Sequence, residues 1–119
     1  MSGPLTGFRV LDLTTMVSGP VATMMLGDQG ADVIKIEPVD GEYMRKAGVR
    51  YRGMPNGFLS CNRSKRSLSI NLKSTDGVKA IKRLLVDTDV IVQNFRPGAI
   101  ERMGLGEAVV RDIRPDIIF

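Results

Sequence analysis

The sequence has no histidine and a single cysteine, Cys61. The first absence removes any imidazole base or His-ligated metal, and the second removes an internal disulfide. Together they exclude a zinc site built from this chain alone. One lone thiol suits a reducing compartment, so a cytoplasmic location is expected. No apolar run approaches the roughly 20 residues of a membrane span, and no membrane association is expected. The opening MSGPLTG has no basic segment followed by an apolar one, so no signal peptide is expected. Two motifs are also missing. The segment Met16–Ala22 (MVSGPVA) carries one glycine where a dinucleotide fingerprint needs three, and there is no P-loop.

Acid is missing locally. From Tyr43 to Thr75 there is no Asp or Glu, while the same stretch holds Arg45, Lys46, Arg50, Arg52, Arg63, Lys65, Arg66 and Lys73. So many like charges are expected to raise a positive field, serving either an anion site or a plain solvated loop. Tyr43, Tyr51 and Phe58 form no recognisable stacking platform, which makes nucleic acid the weaker reading of that charge.

What is present is organised around Phe8–Glu37, which reads as strand, turn, helix, strand. FRVLDL is the first strand. Ser18-Gly19-Pro20 opens a helix, with Ser or Gly as cap and Pro tolerated in the first turn. Val21, Met24, Met25 and Asp28 fall on helical spacing, and Gly30 is expected in the left-handed conformation that closes the helix. VIKI reads as a buried strand ending at Glu37-Pro38. In parallel strand–helix–strand units ligands sit at the carboxyl ends of the strands, which marks Met16–Gly19 and Glu37–Gly41 as one rim.

Beyond it, residues 39–62 read as a long loop with a short helix around Tyr43–Ala47. Ser67–Leu72 alternates as a strand with one face buried. Ser74 or Thr75 caps a second helix whose apolar stripe is Val78, Ile81, Leu84 and Leu85, with Lys79, Lys82 and Arg83 facing away. VIVQN is a further strand and Phe95–Gly98 a turn. Ala99–Met103 is a short helix stopped at Gly104. Leu105–Ile113 is another, capped at Gly106. Asp116–Phe119 starts a strand. An apolar strand at the very end leads to the expectation that residues 1–119 are the amino-terminal part of one longer α/β domain, incomplete and ending in a strand.

Several residues carry chemistry. Glu37 stands where a nucleotide-binding fold places a ribose-binding acid, or is a strand-end carboxylate paired with a nearby base. Ser18 lies at a helix start that attracts anions, or is only a cap. Asn94, Phe95, Arg96 and Arg102 offer an amide, a flat apolar ring and two guanidiniums, which suit a phosphorylated adenine nucleotide; otherwise Phe95 is core and the arginines are solvated. Cys61 has no His partner and reads as a structural thiol. Asp12, Asp28, Asp32, Asp87 and Asp89 sit at element ends and need no catalytic role.

Three stretches, taken in order, carry a resemblance: PLTGFRVLDLTTMVSGPVATMMLGDQGADVIKIEP, NRSKRSLSINLKSTDG and DVIVQNFRPGAIERMGLG. They resemble the family III CoA-transferases, the CaiB/BaiF group. The resemblance runs from Pro4 to Phe119 and is weakest between Val39 and Ser60. It implies a Rossmann-like parallel sheet with flanking helices, coenzyme A and acyl-CoA thioesters as substrates rather than a tightly bound cofactor, and a homodimer of interlocked rings. Family members move CoA between carboxylic acids through aspartyl intermediates, while relatives epimerise 2-methylacyl-CoA. By motif position, Val17 and Ser18 lie near the thioester. Ile70, Asn71, Leu72 and Lys73 line the nucleotide path with Asn94, Phe95, Arg96 and Arg102, and Arg45 matches a recurrent loop arginine. Val17 stands where oxalate-specific members carry Gln, and Pro38 where some carry an adenine-contacting Arg. None of the aspartates matches the family nucleophile, which lies beyond Phe119, so no catalytic residue is expected here and the 119-residue chain alone is expected to be inactive. A reading from another class stays open: a truncated, non-catalytic module that binds CoA, a polyanion or a partner protein.

Overall fold

The computed structural model describes residues 2–119. In chain order the elements are β1 (Arg9–Asp12), α1 (Ser18–Asp28), β2 (Asp32–Glu37), a 3₁₀ turn (Tyr43–Arg45), β3 (Arg50–Tyr51), β4 (Met54–Pro55), α2 (Asn56–Asn62), β5 (Lys65–Ser69), α3 (Thr75–Leu85), β6 (Val90–Val92), α4 (Ala99–Arg102) and α5 (Glu107–Ile113). Four strands form a parallel sheet in the order β5-β2-β1-β6. This is the arrangement of a Rossmann-type sheet, in which the chain works outward from β1 in one direction and then returns to its other side. Ile118 forms an isolated parallel bridge to Val90 beside β6, while Pro115 and Asp116 turn, so the strand expected from Asp116 is reduced to that bridge.

Helices cover both faces, which is why the central strands are apolar almost throughout. On one side Leu11, Ile34, Ile36 and Ile91 pack with Ile81 and Leu85 of α3, Ile100 of α4 and Val110 of α5. On the other, Val10, Ala31 and Val33 pack with Leu26 of α1 and Leu5. Ser74 caps α3, its hydroxyl accepting from the Gly77 N–H at 3.0 Å. α1 ends in a Schellman pair, Gly30 N–H to Gly27 O and Ala31 N–H to Leu26 O, with Gly30 at φ 101° as its position demands.

Four other expectations are corrected. Val17, not Ser18 or Gly19, is the N-cap of α1, with no side-chain cap bond. The buried face of α1 is Pro20, Thr23, Met24 and Gly27, while Met25 is 56% exposed. The helix turns its small residues inward because it lies close to its neighbours: a Cβ on Gly27 would stand 2.9 Å from Ser64 O, and one on Gly19 2.5 Å from Thr14 Cβ. Residues 39–62 are not one loop. Arg52 and Gly53, both at positive φ, turn a two-residue hairpin between β3 and β4, and Pro55 then leads into α2. Finally, β5 begins at Lys65 and is an edge strand with Leu68 exposed; the burial expected over Ser67–Leu72 falls on Ile70.

Candidate functional site

The carboxyl ends of β1 and β6 lie side by side where the order of strands reverses. In open α/β sheets this is where a crevice for a ligand opens. The Thr14–Met16 turn leaves β1 here, and the Gln93–Gly98 segment leaves β6. The two are tied directly, since the Asn94 side chain accepts from Thr15 N–H and donates to Thr15 O, both at 2.9 Å. Asn94 thus ties the two turns together, while remaining exposed. Val17 and Ser18 are exposed at the mouth of α1. Phe95 is half-buried and packs on the larger core, with its N–H held by the Gln93 side chain at 2.9 Å. Arg96 is exposed.

A groove of about 710 Å³ lies between the start of α3 and α4, lined by Leu72, Lys73, Val78, Lys79, Lys82 and Arg102 among others. It brings together Leu72, Lys73 and Arg102, which the sequence singled out, and adds Lys79 and Lys82, which helical spacing marked only as outward-facing. No carboxylate lines the groove, and none of its four cations has an ion-pair partner among the described residues. Arg102 lies over Gly98, with Nη1 2.7 Å from where a Cβ would stand, and Gly98 itself is at φ 82°. Ile70 and Asn71, also singled out by the sequence, make contacts of their own. The Ile70 side chain packs into the core rather than the groove. The Asn71 side chain accepts the Lys73 N–H at 3.0 Å and so shapes the turn into α3.

The acid-free stretch behaves differently from its composition. Acids from outside it neutralise most of its cations: Arg45 pairs with Glu37, Lys46 with Asp40, Arg63 with Asp28, Lys65 with Asp12 and Arg66 with Asp32. The positive field expected from Tyr43 to Thr75 is therefore partly cancelled; Arg50, Arg52 and Lys73 keep no ion-pair partner among the described residues, and Lys73 joins the groove. Arg45 is held twice: it makes two bonds to Glu37, at 2.6 and 2.7 Å, and stacks 3.9 Å from the Phe58 ring centre. Burial alone would raise the Glu37 pKa. The bonds from Arg45, the Ser67 hydroxyl and the Glu42 N–H outweigh it, and the carboxyl is lowered to about 2. Glu37 is thus a strand-end carboxylate paired with a base.

The sequence reading missed a buried polar layer between the sheet and α1. Asp12 is fully buried and pairs with Lys65 at 2.9 Å. It also accepts from the Thr23 hydroxyl at 2.7 Å. Lys35 pairs with Glu42 at 2.9 Å, both side chains 1% exposed. Burial lowers the Lys65 pKa, although Asp12 pulls against it. One signal was available, in Asp12 and Lys35 interrupting otherwise apolar strands.

Residues 5–119 match the family model described as CoA-transferase family III. The chain belongs to that family. Over 118 residues it is 46% identical to the human succinyl-CoA:glutarate CoA-transferase, covering 98% of this chain and 27% of that protein. It is 41% identical over 117 residues to the beta subunit of succinyl-CoA–L-malate CoA-transferase from Chloroflexus aurantiacus, covering 97% of this chain and 29% of that one. A solved CaiB/BaiF family protein from Brucella suis superposes with a TM-score of 0.92 at 32% identity, over 99% of this chain and 32% of that one. The chain thus spans under a third of the length of these family III relatives.

Proposed function

We infer that these residues form the nucleotide-holding part of a CoA-transferase that moves CoA between carboxylic acids. The observation that carries the reading is the groove between α3 and α4: four cations with no acid among its lining residues, beside a capped helix start. The phosphates of CoA are the matching charge. Arg102 suits a bidentate grip on one of them, and Lys73, Lys79 and Lys82 supply compact positive charge at the same wall. The exposed Val17 and Ser18, across the switch point, are the residues left for the thioester end. An aspartyl intermediate fits the family, with its nucleophile outside these 119 residues; covalent transfer needs that nucleophile, so this chain alone gives no turnover. Both curated relatives above are named for succinyl-CoA, which makes a short dicarboxylate the first acyl group to try.

The test is thermal unfolding with CoA and with dephospho-CoA. A ligand at a hundredfold excess over its Kd stabilises by about 2.7 kcal/mol, several degrees for a chain of this size. CoA is expected to raise Tm and dephospho-CoA to raise it less. No shift at millimolar CoA refutes the reading.

A further inference from the structure

The turn from β1 into α1 is held by side chains rather than by backbone. Outside the regular elements, no backbone–backbone hydrogen bond among the described residues involves Thr14, Thr15 or Met16. Instead the Thr14 N–H donates to Asp12 at 2.9 Å, and Thr14 O accepts from Lys35 Nζ at 3.0 Å. The Thr15 N–H and C=O are both taken by Asn94. The Met16 N–H donates to Glu42 Oε1 at 2.7 Å. Five backbone groups in three residues are thus satisfied by side chains from β1, β2, the loop after β2 and the segment after β6.

The turn also carries strain. Met16 sits at φ 70°, a region that residues other than glycine rarely adopt. Such a conformation persists only when its surroundings over-determine it, and a bond from an amide to a charged carboxylate is about twice as strong as a neutral one. Glu42 is itself locked: its other oxygen, Oε2, faces Lys35 Nζ at 2.9 Å, and its N–H donates to Glu37 at 3.1 Å. Glu42 Oε2 takes no directed hydrogen bond among the described residues, while Lys35 Nζ also donates to Thr14 O. The ion pair therefore serves the turn at both ends, one partner on Thr14 and the other on Met16.

We propose that Glu42, backed by Lys35, and Asn94 are positioning residues of the CoA site: they fix the Thr14–Met16 turn so that Val17 and Ser18 meet the thioester in one geometry. This rests on the reading above, in which Val17 and Ser18 face the thioester. Asn94 then acts from across the switch point as a latch on the turn rather than as a ligand contact.

The experiment combines amide hydrogen exchange with CoA titration on the wild-type chain and on Glu42→Ala, Glu42→Gln and Asn94→Ala. Glu42→Ala is expected to speed Met16 amide exchange and to weaken CoA binding by about tenfold, the scale of one lost charged hydrogen bond. Glu42→Gln keeps an oxygen for the Met16 N–H and is expected to restore most of both. Asn94→Ala changes an exposed residue and does not threaten folding; it is expected to free the Thr15 amide and weaken CoA binding with Tm little changed. It decides the matter if Glu42→Ala fails to fold. A wild-type chain that binds no CoA sinks the nucleotide reading and this proposal with it. A wild-type chain that binds CoA, beside folded variants that bind it equally well, sinks this proposal alone.

Discussion

Replacing Glu37 by Gln tests the buried pairing at the carboxyl end of β2. In the folded chain the Glu37 carboxyl titrates near 2 instead of its ordinary 4.5. Each pH unit of that displacement is worth about 1.4 kcal/mol, or roughly 3 kcal/mol in all. Arg45 is 29% exposed, so solvent reaches one partner and screening reduces the figure to about 2 kcal/mol. Because the folded pKa is depressed, this stability is present above pH 4.5 and is lost as pH falls towards 2. Glu37→Gln is therefore expected to cost about 2 kcal/mol at pH 7 and far less at pH 2. The assay is urea unfolding of both proteins across this range. Equal gaps at pH 7 and pH 2 would refute the electrostatic argument, and no gap at either would refute the pairing.

Three further outcomes are expected. Lys65→Met leaves Asp12 buried without its cation and should cost about 3–5 kcal/mol, read by the same unfolding curves. Gly77→Ala normally gains about 1 kcal/mol in a helix, but a Cβ there would lie 1.9 Å from Asn71 O; Tm should fall, and a rise would show the α3 start to be looser than described. Arg102→Ala should weaken CoA binding about tenfold by removing a charged hydrogen bond with Tm unchanged, as the residue is exposed and has no ion-pair partner among the described residues; calorimetric titration checks it.

Local signals in the sequence were sufficient for most elements. β1, β2, β6, the cap of α3 at Ser74 and the stop at Gly104 are each written in a few adjacent residues, because strand runs, caps and left-handed glycines are properties of short segments. The region from 39 to 62 was less legible. Its hairpin depends on Arg52 at positive φ, which nothing in an Arg-Gly pair demands on its own. The face of α1 was misread for a related reason: hydrophobicity pointed to Met25, whereas close approach to Thr14 and Ser64 favours Gly19, Thr23 and Gly27.

Charge shows the division most clearly. By itself the sequence determined that cations crowd residues 43–75 without a single acid, and that this chain supplies no imidazole. Only the tertiary structure decided which of those cations remain free. Lys65 reaches Asp12, 53 positions away, and Arg63 reaches Asp28, so the apparent basic patch is mostly spent on pairing. Lys79, Lys82 and Arg102, outside that patch or beyond its edge, meet Lys73 at the uncompensated groove. The physical reason is range: caps and turns act within a few bonds, but a charge is neutralised by whatever the fold brings within a few ångströms.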